Sequence, residues 1–496
     1  MAIERERERE EEVVQFLSEG FFDSLIQQPG RRSSLSPPTQ QSEQCHSTAG
    51  RRPRGSSPPT TPRFERAMSL KIAMCVWFMG WTFAMSGNAV EVPLLDGPTV
   101  YLTVSSVPSQ TGKARLLEMN WDNLPQRDDI RLYLHDNDPS LPDSTPLLTI
   151  RPNSSKGYHR TSLQFPEQVF SSSNLSSACL GYWITCRQDD REVASSCLRA
   201  RPHWMHESRE SLGNLTLLDL VLPGTHNAGC HSPFDPEEDT LFTRYLFTQE
   251  ESIWNQLVFG VRYLDLRVAH FQTGRTPEQR FWITHSSFKT DVTVMDVVRQ
   301  LKQFLAATKE IVVMDFHRFV TGFQRRTATT RRRHRELIAL LERELGDFMI
   351  PVYFTSGATL QQLWDADRRL YVGYADEGAR ARSPYLFPAV KHLWGDVDQA
   401  GDLWEYLNGT VCDLPLRRLT SAMAQLTPTK AGALFNLYGG LRKMADQVNR
   451  QVTRWFSSDW NHCANIVATD FFLGNNIIEL AIKTNQNRFA RGELDT

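Results

Sequence analysis

The chain has 496 residues, 23% of them charged and 40% hydrophobic, with a formal net charge of −2. That length exceeds one ordinary domain. A balance this near neutrality excludes binding to nucleic acid driven by a global positive field, so no nucleic acid partner is expected.

In chain order, residues 1–67 open with "ERERERE" and continue through a Ser-, Pro- and Arg-rich stretch. Neither can bury enough apolar surface to offset the entropy of ordering, which predicts a disordered tail. Residues 68–89 follow the grammar of a signal peptide. Lys71 is the positive flank, Ile72 to Met85 is apolar or small, and "SGNA" offers small residues before a cut near Val90. The run is short for a membrane span, which needs about 20 apolar residues. Met68 stands where an initiator would. The expectation is a secreted or lumenal protein; the alternative is a signal anchor formed by residues 72–85.

Two features after the cut agree with that route. Sequons stand at Asn153, Asn174, Asn214 and Asn408. Six cysteines follow: Cys179, Cys186, Cys197, Cys230, Cys412 and Cys463. An even number fits disulfides in an oxidising compartment, with a pairing that spacing does not reveal; buried free thiols are the other reading. No CxxC pair suggests a zinc site.

Residues 93–205 hold seven short alternating runs, from "TVYLTVSS" to "SSCLRARP", separated by turn-forming links. They predict an antiparallel β-sandwich of immunoglobulin-like type. No catalytic constellation falls there, and its partner is unknown. Residues 211–496 change rhythm. The apolar runs "LTLLDLVLPG", "VRYLDLRV", "RFWITHSS", "EIVVMDFH", "RRLYVGYA", "ALFNLYGG" and "NIVATDFF" read as strands, and amphipathic patterns such as "VTVMDVVRQLKQFLAATK" and "RHRELIALLERELGDF" as helices between them. This alternation predicts a TIM-type (β/α) barrel, with chemistry at the C-terminal ends of its strands.

Ionisable residues recur at those ends: His226, then Asp265 and Arg267, then His285, then Asp315 and His317, and Asp470 last. Two histidines can serve as general base and general acid. Asp470, on the closing strand, could hold His226 in one tautomer. The guanidinium of Arg267 suits a phosphate. No G-x-S-x-G elbow, P-loop or dinucleotide fingerprint is present. Two histidines, an arginine and carboxylates without a side-chain nucleophile point to cleavage of a phosphodiester whose own hydroxyl attacks. Tyr374 and Trp394 are candidates to stack on a sugar ring, with rim packing as the other reading. Asp315 and His317 are candidate substrate contacts. The basic run Arg325 to Glu336 reads as a solvated approach to a helix, or as an attractor of anionic lipid.

"LPGTHNAG", "GVRYLDLRV", "FWITHSSF" and "EIVVMDFHRF", in this order, resemble the X region of phosphatidylinositol-specific phospholipase C, in particular the X-domain-containing group and the bacterial enzymes. The resemblance spans most of residues 211–485. By position it implies His226 as general base, Asp470 as its carboxylate, His285 as general acid, and Asp265 with Arg267 as the acid-x-basic pair. It implies attack of the inositol 2-hydroxyl on phosphorus, an inositol cyclic phosphate, and a phospholipid membrane surface as the working partner. Calcium-dependent animal members carry an acidic ligand where Arg267 stands, so no cofactor and no metal, calcium included, is expected. Two positions depart from the pattern: Asn227, where bacterial members tend to carry Asp, and Ser286, where a glycine often follows the acid histidine. The rival readings are a metal-dependent glycerophosphodiester or sphingolipid phosphodiesterase, and a non-catalytic lipid-binding or adhesion protein.

Overall fold

The computed structural model describes residues 97–273, 276–413 and 416–491. The tail and signal segment of residues 1–89 lie outside them.

Seven antiparallel strands come first: β1 (Thr99–Val104), β2 (Leu116–Asp122), β3 (Ile130–His135), β4 (Leu148–Ile150), β5 (Gly157–Gln164), β6 (Cys179–Gln188) and β7 (Arg191–Arg199). They form a three-stranded sheet in the order β1-β2-β5 and a four-stranded sheet in the order β4-β3-β6-β7. Alternation builds the core, with Leu117 and Met119 from one sheet and Ile130, Leu132, Leu134 and Ile184 from the other all fully buried. The β6–β7 link has Asp189 and Asp190 at φ 46° and 62°, the left-handed pair that a two-residue type I′ turn requires. A disulfide joins Cys179 to Cys197 across these strands.

On β2 even the polar residues are buried: Glu118 is 0% and Asn120 1% exposed. The helix Leu441–Ser458 covers them. Its Arg450 bonds Glu118 at 3.1 Å, and its Arg454 bonds Asp122 at 3.1 Å. Arg160 of β5 completes the Glu118 pair at 2.7 Å. The joint between the two regions is fixed at its base by a fully buried pair, Arg262–Glu310, at 2.6 Å. Arg262 also donates to the carbonyls of Arg201 and Pro202, and Glu310 accepts from the amides of Met205 and His206. The connecting chain is thereby bound to the barrel floor.

The second region contains β8 (Leu222–Thr225), β9 (Tyr263–His270), β10 (Phe281–His285), β11 (Phe288–Thr293), β12 (Val312–Phe319), β13 (Leu370–Tyr374), β14 (Leu386–Pro388), β15 (Lys391–Leu393), β16 (Thr420–Met423) and β17 (Ile466–Thr469). Eight of these run parallel in the order β14-β13-β12-β9-β8-β17-β16-β15. That is a TIM-type array closed at the β8–β17 seam and, among the described residues, without a ladder between β14 and β15. The helix Val294–Ala307 shows how sequence makes the outer layer. Thr293 and Asp296 form a capping box, and Val294, Val297, Val298, Leu301, Phe304 and Leu305 bury one face at helical spacing. The helix Ala328–Leu345 takes up most of the basic run and starts at a Thr327 cap. No described helix is long and apolar enough to cross a membrane.

Three strand expectations are corrected. "RFWITHSS" is not a barrel strand: β10 runs antiparallel to β9 and turns through Ser286 and Ser287 into β11. Most of "LTLLDLVLPG" is a turn, because the Asp219 carboxylate accepts from both the amide and the hydroxyl of Thr216, at 2.7 and 2.6 Å; apart from a single bridge from Thr216 to Thr359, pairing is confined to Leu222–Thr225. "ALFNLYGG" is the end of a helix capped by Thr429, followed by Asn436, Gly439 and Gly440 at positive φ. The strands that replace it, β14, β15 and β16, have three or four residues each, too few to show a period.

Candidate active site

The loop leaving β8 carries His226 and Asn227, tied on both sides. The His226 amide donates to the Thr469 carbonyl at the end of β17, and the Ala228 amide to the Asp265 carbonyl of β9. Gln249, fully buried, donates to the carbonyls of His226 and Thr469 at 3.1 and 2.8 Å. The backbone at His226 is therefore held by three neighbouring segments.

His226 Nδ1 lies 2.7 Å from Asp470 Oδ1, and its Nε2 lies 2.6 Å from Arg267 Nη2. A guanidinium only donates, so Nε2 carries the lone pair and Nδ1 donates its proton to Asp470. This is the tautomer a general base needs, with Asp470 placed to stabilise the imidazolium once a proton arrives. His226 and Asp470 are 6% and 4% exposed.

His285 faces His226 edge-on, ring centroids 6.3 Å apart at 81°. Its Nδ1 donates to the Leu246 carbonyl at 3.0 Å, which leaves Nε2 for the site. Burial first, then the charges of Arg267 and His226, pull His285 down to about 3. The antiparallel turn of β10 aims this ring at the mouth: β10 runs back along β9, with Ile283 opposite Val268, and so ends near Arg267.

Asp265 is fully buried beneath Arg267, with a carboxylate oxygen 3.7 Å from the guanidinium. Burial would raise its carboxyl, but Arg267, then His392, His226 and His317, hold it well below the usual carboxylate range. Its Oδ2 accepts the Asn227 amide at 3.0 Å, while Oδ1 has no hydrogen-bond partner. Asn227 is 0% exposed at φ 44° and donates its side chain to the Thr284 carbonyl. It positions the wall beneath the site and offers no surface to a ligand.

Beside the two histidines opens a cleft of about 590 Å³ lined by Arg267, Arg318, Arg380, Lys391, Arg418 and His317, among others. Burial first and then Arg267 pull the Arg318 guanidinium down, a cost that a bound anion would relieve. Trp394 lines the cleft at 44% exposure, its Nε1 bonded to Thr427. Tyr374 is 1% exposed, packed among Phe316, Phe319 and His334, with its hydroxyl 2.8 Å from His334 Nδ1. Asp315 is fully buried. Its Oδ1 accepts the Val390 amide, and its Oδ2 lies 3.6 Å from His317 and 3.7 Å from His392. Gly373 makes room for it, since a Cβ there would strike the Asp315 carboxylate.

The structure thus brings His226, Asp265, Arg267, His285 and Asp470 into one site, puts His317, Tyr374 and Trp394 on the adjoining cleft, and buries Asp315 behind His317. Sequence reasoning missed His392, Gln249 and the cleft cations. "VKHLWGD" was read for its tryptophan alone, and its strand of three residues carries no pattern that would flag the histidine.

A parallel barrel with a carboxylate-backed histidine, a second histidine and an arginine at one mouth defines the class. No family model matches the chain. It is 26% identical over 310 residues to PI-PLC X domain-containing protein 3 of Danio rerio, covering 57% of this chain and 92% of that one. It is 31% identical over 237 residues to the variant-surface-glycoprotein phospholipase C of Trypanosoma brucei brucei, covering 41% and 61%. A mutant of the phosphatidylinositol-specific phospholipase C of Staphylococcus aureus superposes with a TM-score of 0.44 at 15% identity, covering 57% and 97%. The chain is similar to the PI-PLC X domain-containing proteins, at 25–26% identity over 57–59% of its length.

Proposed function

We propose that this protein is a phosphoric diester hydrolase that cleaves phosphatidylinositol-type phospholipids through an inositol cyclic phosphate, without calcium. The observation that carries the reading is His226, its proton on the Asp470 side and its lone pair toward Arg267, with the His285 ring 6.3 Å away.

In the proposed step, His226 Nε2 takes the proton of the inositol 2-hydroxyl, and that oxygen bonds to phosphorus. The bond from phosphorus to the diacylglycerol oxygen breaks, and His285 gives its proton to the departing oxygen. Arg267 leaves the His226 lone pair to neutralise the non-bridging oxygens, a role that substitutes for an ion. His285 must be protonated to act. A phosphate anion arriving between it and Arg267 would offset the cations that hold it low. Water opens the cyclic phosphate with the two imidazoles in exchanged roles.

A membrane-facing surface is consistent with this substrate. Leu434, Phe435 and Leu437, 49%, 71% and 73% exposed, follow β16. Their loop is tied at Asn436 to the Tyr245 hydroxyl, one residue before the carbonyl that holds His285. We read the two N-terminal sheets as an immunoglobulin-like sandwich that braces the barrel. Secretion after cleavage near Val90 is supported by the disulfides Cys179–Cys197 and Cys412–Cys463 and by four sequon asparagines that are all exposed.

The test is incubation with phosphatidylinositol vesicles, with ³¹P NMR of the water-soluble product and a calcium-selective chelator in a parallel arm. Inositol cyclic phosphate should form in both arms. His226→Ala and His285→Ala should each lower the rate by about 10²–10⁴-fold. Full activity in either variant, or loss of turnover in the chelator, would overturn the reading.

A further inference from the structure

On the wall of the cleft, three ligand atoms converge that the proposed reaction does not use. Asp315 Oδ2 lies 3.6 Å from His317 Nδ1 and 3.7 Å from His392 Nε2. The two imidazoles are stacked, centroids 3.4 Å apart at 6°. The Nδ1 of His317 is a buried atom without a hydrogen-bond partner. Donor atoms held about 2.0–2.2 Å from a tetrahedral ion stand roughly 3.3–3.5 Å from one another. The two edges from Asp315 Oδ2 are only a few tenths of an ångström wider, and the third lies within 4.8 Å. Because parallel rings cannot aim both in-plane lone pairs at one ion, one imidazole must turn out of the stack when the ion binds. All three residues are brought together by backbone that is itself fixed. Asp315 is anchored by the Val390 amide, and Tyr263, fully buried, places its hydroxyl 3.2 Å from Asp315 Oδ2 and 2.8 Å from His392 Nε2.

We propose that Asp315, His317 and His392 form a site for a divalent first-row transition ion of the zinc class, separate from the His226–His285 pair. The donor set decides the class: two imidazoles and one carboxylate suit zinc and its neighbours, whereas calcium prefers six or more oxygens. Both imidazoles line the cleft, so a position left open by three protein ligands is reachable from it, as in sites where a metal takes an oxygen of water or substrate. Tyr263 then donates to the coordinated carboxylate and fixes its orientation. Face-to-face imidazoles at this spacing cannot both be protonated without repulsion. Neutral rings are what a metal requires. The site departs from the metal-free expectation of the sequence, in which His392 was not seen.

The experiment uses the full chain, stripped with chelator and dialysed, titrated with zinc by calorimetry and separately with cobalt(II) by visible absorption. Wild type should take up one equivalent, and the cobalt form should show the d–d bands of a low-coordinate N,O site. His317→Ala and His392→Gln should each weaken zinc binding by more than about tenfold. His226→Ala and His462→Ala should bind as wild type does, the latter controlling for the surface group beside Cys412. Tyr263→Phe, which alters no ligand, should keep the stoichiometry and lower the affinity. Circular dichroism confirms folding of each variant. No uptake by the folded wild type, uptake unchanged in both ligand variants, or uptake abolished by His226→Ala overturns the proposal. None of these readouts needs turnover, so failure here leaves the phosphodiesterase reading standing, and failure there leaves this site standing.

Discussion

Arg267 acts on three of the other four members of the candidate constellation. It bonds the lone pair of His226, sits 3.7 Å from Asp265, and is the strongest charge acting on His285. Its positive charge favours neutral His285, so its removal must move that imidazole upward. Arg267→Gln is expected to raise the pH at which His285 titrates, though not to the free value, because burial is the larger cause. Ring ¹⁵N NMR of His285 in the two proteins measures this; a midpoint that does not move would show that Arg267 exerts no field on the acid. At this scale the sequence was legible wherever a charged residue closed an apolar run, as for His226, Asp265 and Arg267, Asp470, and His285 at the end of its hairpin strand. The direction of each contact was not. "THNAG" does not announce that Asn227 is buried against Thr284, nor "YVGYADE" that the Tyr374 hydroxyl is spent on His334.

The β10–β11 hairpin delivers His285, the proposed general acid, and its turn is strained. His285 pairs with Phe288 across a two-residue link whose first member, Ser286, has φ 55°. A side chain in the left-handed region costs about 1–2 kcal/mol, and glycine there costs about 0.4–1 kcal/mol through the unfolded chain. The first effect wins. Ser286→Gly should therefore stabilise the protein by roughly 0.5–1 kcal/mol, read as a higher urea midpoint at unchanged slope; a lower midpoint would mean that Ser286 makes a contact worth more than its strain. The departure from the glycine pattern was visible in "THSSF", but its cost was not, because "RFWITHSS" suits a parallel strand as well as one arm of a hairpin. The seven N-terminal strands were legible because alternation and turn residues agree in every one. β14, β15 and β16 were not, because the barrel array imposes extended structure on three or four residues at a time, and tertiary pairing overrides so short a pattern.

Across the whole molecule, the β1-β2-β5 sheet and the barrel share one buried junction, centred on Glu118. Its carboxylate is fully buried and holds Arg160 from its own sheet and Arg450 from the barrel helix. Buried ion pairs add little when they form, but removing one partner strands the other. Here the arginines keep a second carboxylate, Asp446, and are 28% and 12% exposed. The loss should therefore fall toward or below the lower end of the ~3–5 kcal/mol seen when such pairs are broken. Glu118→Gln preserves size and removes only the charge. The wild-type chain should unfold in one step, because the same helix Leu441–Ser458 that covers β2 also carries Asn449, whose side chain donates to the Asp470 carbonyl. In Glu118→Gln the sheets should release first and the barrel later. Pulsed hydrogen exchange of the β2 and β5 amides along a urea series, which reports the sheet, and the proposed hydrolytic activity, which reports the barrel, should then give urea midpoints that separate. Coincident midpoints in the variant would mean that apolar packing alone couples the two regions, and that the bracing role proposed for the sandwich does not pass through this ion pair.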